Sequence, residues 1–155
     1  MELTPEAWNY IGRYVGAGLA LGLGGIYLNV EGREARGCVQ PGEEWERLKA
    51  EIIERLGGLH DEELSKAAVG KVYDTAVAYQ GPYVEEGPDL VVGFKPGYRV
   101  SWTCATGAVT ESVFEDNEKS WSGDHCMNLP DVPGIFFCNR KIESSSVNIM
   151  DIGPT

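Results

Sequence analysis

His125, directly after Asp124, is the histidine in this chain best suited to metal chemistry. Neutral imidazole is a common ligand of zinc and similar metals, and an adjacent carboxylate can donate an oxygen or fix the ring tautomer. Small and polar residues surround the pair, and Pro130 and Pro133 precede an apolar run at 134–137, which predicts a loop leading into a buried strand. A metal site needs three or four ligands, so a loop histidine satisfied by hydrogen bonds is the competing interpretation.

Several other residues could have either a functional or a purely structural role. Cys126 could be a soft ligand or a nucleophile, but adjacent side chains on a strand point to opposite faces. Tyr98, Arg99 and Trp102 suit phosphate or base contacts, although an arginine between apolar strand residues is more often paired with a carboxylate.

Three polar residues, Asp116, Asn117 and His60, are more typical of turns and loops. Asp116 and Asn117 could bind a metal or a substrate group, but this residue pair commonly forms turns. His60 lies where a helix is predicted to stop, which favours a solvated loop residue. Catalytic carboxylate pairs and Ser-His-Asp sets cannot be assigned, so we predict no catalytic residue.

Composition limits the classes of partner. The chain has 155 residues, 13 basic against 24 acidic, and a formal net charge of -11. This balance argues against nucleic acid and anionic membranes, which need clustered Lys and Arg. The apolar run at 15–30 contains five glycines and is too short to span a membrane. No secretory signal is visible and the four cysteines lack metal-type spacing, so we expect a cytoplasmic protein with free thiols.

Hydrophobic spacing and turn residues predict the elements. A helix is predicted at 43–56, with Trp45, Leu48, Ile52 and Leu56 on one face and two glycines ending it. Strands are predicted at 26–30, 69–73 and 90–94, a hairpin at 99–102 with 107–114, and a short N-terminal helix at 5–14.

Nine short segments follow one another in a distinctive order. The upstream four are GLGGIYLNVEGREARG (22–37), GPY (81–83), PDLVVGF (88–94) and GYRVSW (97–102). The downstream five are DN (116–117), WSGDHCM (121–127), VPGIFF (132–137), NRKI (139–142) and DIGPT (151–155). Together they resemble the C-terminal portion of type I phosphodiesterases/nucleotide pyrophosphatases of the alkaline phosphatase superfamily.

The resemblance implies a fold and a partial site. It implies a single α/β domain over 1–155, in which a mixed sheet flanked by helices follows a candidate helix in residues 1–14. Family members hold two divalent metals, zinc or manganese, and hydrolyse phosphodiesters or nucleotide pyrophosphates. Their nucleophile and most of their ligands have no counterpart in this sequence. Only His125, with Asp124 beside it, carries over.

We therefore expect a fragment related to these enzymes that is not catalytic on its own. The alternatives are half of a split phosphoesterase that needs a partner chain, a binding or oligomeric module, and an evolutionary remnant that merely folds. A domain cut from a larger one would expose a sheet edge, which predicts a homodimer through the N-terminal helix and residues 15–30. Because net charge opposes association, this dimer should strengthen as salt screens the repulsion.

Overall fold

A four-stranded sheet forms the centre of the fold in the computed structural model, which describes residues 15–16, 24–102, 112–120 and 127–142. The elements, in chain order, are β1 (Val15–Gly16), β2 (Gly25–Leu28), α1 (Glu43–Gly57), β3 (His60–Asp61), β4 (Lys66–Ala67), β5 (Val69–Asp74), α2 (Thr75–Ala78) and β6 (Leu90–Phe94). Short 3-10 turns at Val84–Glu86 and Leu129–Asp131 complete the described structure.

The sheet has the strand order β1-β2-β6-β5, and each neighbouring pair is antiparallel. Within the described ranges, parallel pairing occurs only as isolated bridges, such as Phe94 with Met127. The predicted α/β class is confirmed, but the pairs of this sheet are antiparallel instead of mixed. Parallel neighbours need a crossover connection that is usually a helix, and the link between β5 and β6 holds only the four-residue α2 and a 3-10 turn.

The hydrophobic core lies where α1 packs on this sheet. Its buried members are Ile26, Leu28, Val30, Val39, Leu48, Val69, Val72, Leu90 and Val92. Trp45, Ile52 and Leu56 recur at helical spacing and pack against this cluster, so the predicted face of the helix is confirmed. Gly58 caps the end of α1 through its backbone N–H, which donates to the Leu56 carbonyl.

One buried carboxylate ties β2 to the rest of the sheet. Asp89, which directly precedes β6, accepts hydrogen bonds from the Leu28 backbone N–H at 2.6 Å and from both terminal nitrogens of Arg33 at 2.8 and 2.7 Å. Arg33 also donates to the Leu28 carbonyl at 2.8 Å. The hydrogen bond to Asp89 raises the pKa of the Arg33 guanidinium further above its usual value. The Arg33 guanidinium therefore stays charged at all physiological pH values.

The predicted strands at 26–30, 69–73 and 90–94 are confirmed with boundary shifts of two residues or fewer. The predicted strand at 134–137 is wrong, because this stretch has no regular structure and Ile135 and Phe137 are 82% and 90% exposed. Pro130 and Pro133 lack the backbone N–H that a sheet requires, and a 3-10 turn carries the chain away after the Phe94–Met127 bridge.

Other predictions fall partly on residues that are not described. Residues 99–102 form no strand, and most of the partner segment at 107–114, like the helix at 5–14, lies outside the described residues. Most of the predicted dimer contact, at 1–14 and 17–23, lies outside the described residues, and residues 24–30 are mostly buried in the core. No described helix combines the length and the apolar character that crossing a membrane requires.

Candidate functional site

The candidate metal ligands His125 and Asp124, together with Cys126, lie outside the described residues. The described chain resumes at Met127, two residues after the histidine. Met127 forms a parallel bridge with Phe94, the last residue of β6. Met127 is therefore joined directly to the central sheet.

Asn128 is the residue that fixes this junction. The residue is 5% exposed, and its backbone N–H donates to the Phe94 carbonyl at 2.8 Å. Its Oδ1 accepts from the Tyr73 hydroxyl at 3.0 Å, and its Nδ2 donates to Asp131 Oδ2 at 2.8 Å. A buried amide is stable only when its donors and acceptors are satisfied, so these contacts hold it in one orientation.

Two glycines on neighbouring strands make room for this amide. A Cβ at Gly70 of β5 would lie 2.7 Å from Asn128 Cγ, and a Cβ at Gly93 of β6 would lie 2.9 Å from Asn128 Cα. Both distances are shorter than real carbon contacts. Gly93 pairs with Lys71, and Gly70 lies at a shift in register between the Val69–Phe94 and Lys71–Gly93 pairs, so both glycines belong to the same stretch of the β5–β6 ladder. They form a slot that only glycine can provide.

An ion pair secures the turn after Asn128. Lys95 Nζ lies 3.1 and 3.0 Å from the two carboxylate oxygens of Asp131, which ends the turn Leu129–Asp131. The Asp131 N–H donates to the Asn128 carbonyl at 2.9 Å. Hydrogen bonds from Asn128 and then from Lys95 lower the pKa of the Asp131 carboxyl. We call Gly70, Tyr73, Gly93, Asn128 and Asp131 the Asn128 anchor.

Sequence reasoning missed the Asn128 anchor. The two glycines interrupt otherwise β-forming runs, and such a glycine indicates close backbone approach. That signal was readable at Gly70 and Gly93. What the sequence does not contain is the register of β5 against β6, which places the two glycines in the same stretch of the ladder, against Asn128.

Tyr98, Arg99 and Trp102 each contact another side chain of the protein. The Tyr98 hydroxyl donates to Asp61 Oδ2 at 2.9 Å, and the Arg99 guanidinium lies 4.2 Å from the centre of the Trp102 ring. A hydrogen bond from the Leu64 backbone N–H, helped by the one from Tyr98, lowers the pKa of the Asp61 carboxyl. Burial, together with Asp61, raises the pKa of Tyr98.

The remaining candidates are exposed. Asn117 Oδ1 accepts a hydrogen bond from the Lys119 backbone N–H at 3.2 Å, a contact of the kind that stabilises turns. His60 is exposed, with its Nδ1 3.8 Å from Glu62. In the ranges that the structure describes, no three His, Cys, Asp or Glu side chains converge as a metal site would require. No family model, curated protein or solved structure matches this chain.

Proposed function

We propose that this chain is related to metal-dependent phosphodiesterases/nucleotide pyrophosphatases, and that it provides one metal ligand, His125, without turnover on its own. The Asn128 anchor is the observation that carries the proposal. A ligand on a loop binds metal well only when the structure around it is held in place. Asn128 stands three residues after His125 in the sequence and is fixed to the sheet by its buried hydrogen bonds.

The ligand set decides what the chain can do chemically. One imidazole with an adjacent carboxylate falls short of the three or four ligands of a stable divalent site. A bound divalent metal in such enzymes polarises the phosphoryl oxygen and activates the nucleophile. With a single family ligand in this sequence, we assign no catalytic step to its residues. Further ligands would have to come from a partner chain, which is the split-enzyme form of the same proposal.

The metal test uses the fact that the sequence contains two histidines, His125 and His60. Substoichiometric Mn²⁺ should broaden the imidazole proton resonances of His125 selectively, because paramagnetic relaxation falls steeply with distance. His60→Ala assigns the signals and should leave the broadening intact, while His125→Ala should remove it. Equal broadening of both histidines, or of neither, would contradict the proposal.

A hydrolysis assay tests the second half of the proposal. Purified protein with Zn²⁺ or Mn²⁺ should release nitrophenol from bis-p-nitrophenyl phosphate only at the background rate. Loss of the metal clamp or the nucleophile removes most of the electrostatic and covalent catalysis in such sites. Turnover that His125→Ala abolishes and His60→Ala preserves would show that the chain is an enzyme.

A further inference from the structure

A small open cleft is formed by residues 79–87, in the connection that links α2 to β6 along the chain. Its volume is about 230 Å³, and it is lined mainly by Tyr79, Pro82, Tyr83 and Val84. Small-molecule sites usually measure about 300–1,000 Å³, so this cleft suits one or two side chains better than a cofactor. We call it the tyrosine cleft.

The walls of the tyrosine cleft are held in place by backbone hydrogen bonds. The Thr75 N–H donates to the Asp89 carbonyl at 3.1 Å, which closes the base of the segment that carries the cleft. The Tyr79 N–H donates to the Thr75 carbonyl at 2.9 Å, and the Glu86 N–H to the Tyr83 carbonyl at 3.1 Å. A guest therefore meets a formed surface and does not have to order it, which lowers the cost of binding.

A second exposed surface has the complementary chemistry. Ile135 and Phe137 are 82% and 90% exposed, and the exposed Arg140 and Lys141 follow them without an ion-pair partner in the described structure. We call residues 135–141 the apolar-basic segment. Ile135, Phe136 and Phe137 are consecutive exposed apolar residues, and contiguous apolar surface of this kind is a feature of interaction sites.

Charge matches the two surfaces to each other. The exposed Glu85 and Glu86 lie in the 3-10 turn whose first residue, Val84, lines the tyrosine cleft. Arg140 and Lys141 follow Phe137 by three and four residues, which is at most about 10–13 Å along the chain, and residues 139–140 form a bend. With Phe137 in the cleft, the basic pair is then within reach of the acidic pair beside the cleft. In a chain of net charge -11, this local attraction selects one docking orientation.

From this match we infer that two copies of the chain associate, with the apolar-basic segment of each copy docked in the tyrosine cleft of the other. Both surfaces are exposed in the single chain, so neither covers the other within one copy. A two-fold axis makes the contact twice, so each dimer buries both segments and both clefts. The inference does not depend on metal binding at His125.

Sedimentation equilibrium at physiological ionic strength tests the contact. Wild type should show a concentration-dependent dimer, and Phe137→Ser and Tyr83→Ser should each weaken dimerisation at least about tenfold, as expected for loss of an aromatic anchor. Both side chains are exposed, so circular dichroism should confirm that the variants fold. Leu64→Ser removes a similarly exposed apolar side chain outside both surfaces and should leave the dimer unchanged.

Mixing the two variants identifies the surfaces. The Phe137→Ser copy keeps an intact cleft and the Tyr83→Ser copy keeps an intact segment, so an equimolar mixture should associate more tightly than either variant alone. Reversing the charges at Glu85 and Glu86 to Lys should weaken the dimer, and Arg140→Glu with Lys141→Glu on the partner should restore it. A monomeric wild type, or a dimer that neither the mixture nor the charge reversal affects, would overturn the inference.

Discussion

At the scale of single residues, the Asn128 anchor attaches the Asn128 amide to strands that lie far from it in the sequence. Its side chain bonds to Tyr73, 55 positions away, and to Asp131 in the next turn. The histidine could be singled out from sequence because its chemistry is visible in its type. Asn128 could not, since its importance comes from burial against Gly70 and Gly93, which only strand register creates.

The slot formed by Gly70 and Gly93 predicts that an alanine substitution there is destabilising, and Gly134 offers a matched control. Gly93→Ala places a Cβ 2.9 Å from Asn128 Cα and 3.2 Å from the Lys71 carbonyl, so backbone must move. We expect a loss of about 1–3 kcal/mol in the free energy of unfolding, as for overpacked sites. Gly134→Ala, whose added Cβ would meet no atom within 4 Å, should be silent. Urea denaturation measures both, and a silent Gly93→Ala would contradict the slot.

A double substitution separates the two glycines. At Gly70 the new Cβ would meet mainly the side chain of Asn128, at 2.7 Å from Cγ. Asn128→Ala should therefore relieve much of the cost of Gly70→Ala, but little of the cost of Gly93→Ala. Two double-mutant cycles measure this as coupling energies, which should be larger for the Gly70 pair.

Stability should also fall in acid. The lowered pKa of Asp131 and of Asp61 means that the folded state holds these carboxylates ionised more strongly than the unfolded state does. Their contribution is full above the unfolded pKa, about 4, and is lost as pH falls through the lower folded values. The urea midpoint should drop below about pH 4. Asp131→Asn should flatten this drop, whereas Asp116→Asn, at an exposed position, should not.

At the scale of elements, sequence and structure agree best where one face of a helix or strand is buried. The helix Glu43–Gly57 was predictable because Trp45, Leu48, Ile52 and Leu56 share a face and acidic residues fill its first turn. The burial of Lys49 could not be predicted from the helical pattern, because a lysine is expected to be exposed, yet this one is 3% exposed among the apolar residues. A lysine four positions after Trp45 lies near that face, but its partner Asp74 is far away in the sequence.

The wrong strand at 134–137 has a different cause. Its apolar, β-forming residues satisfy the sequence pattern of a buried strand, but a strand also needs a neighbour that supplies hydrogen bonds. Around this segment, Pro130 and Pro133 cannot donate, and the pairing with β6 is limited to the Phe94–Met127 bridge. The sequence pattern identifies residues that could bury apolar surface. It does not show whether a neighbouring strand or helix is present to cover them.

Asp74 joins three elements, which makes a graded prediction possible. Its Oδ2 lies 2.9 Å from Lys49 Nζ of α1, and its Oδ1 accepts from the Ala76 N–H at the start of α2. Burial lowers the pKa of Lys49, but the hydrogen bonds to Asp74 and Glu46 outweigh it and leave the pKa raised. Asp74→Asn keeps the cap and loses the charge. It should therefore be less destabilising than Asp74→Ala by about 1 kcal/mol.

Thermal or urea unfolding of the two variants measures this difference. The combination of Lys49→Met with Asp74→Asn should recover part of the loss, because an apolar side chain of similar length replaces a buried cation that has lost its main partner. Equal losses for Asn and Ala at position 74 would mean that the cap contributes nothing.

At the scale of the whole molecule, the α/β class was what the family resemblance implied, and composition supplied the net negative charge. The antiparallel pairing, the Asn128 anchor and the tyrosine cleft could not be predicted in this way, because each depends on contacts between residues far apart in the sequence. The predicted homodimer stays a prediction. The contact expected from the sequence lay in the N-terminal helix and residues 15–30, of which only 15–16 and 24–30 are described, whereas the contact that we propose joins the tyrosine cleft to the apolar-basic segment.

The last prediction concerns the fold as a whole and its dependence on metal. The described core is held by apolar packing and the Arg33–Asp89 and Lys49–Asp74 ion pairs, so a chelator should leave the circular dichroism spectrum unchanged. Zn²⁺ bound weakly at His125 should stabilise the protein only by mass action, about 1.4 kcal/mol at ten times its dissociation constant. His125→Ala should remove that increment and His60→Ala should not. Unfolding on chelation would instead reveal a closed structural site, because removing a metal unfolds a protein only when metal binding contributes to the free energy of folding.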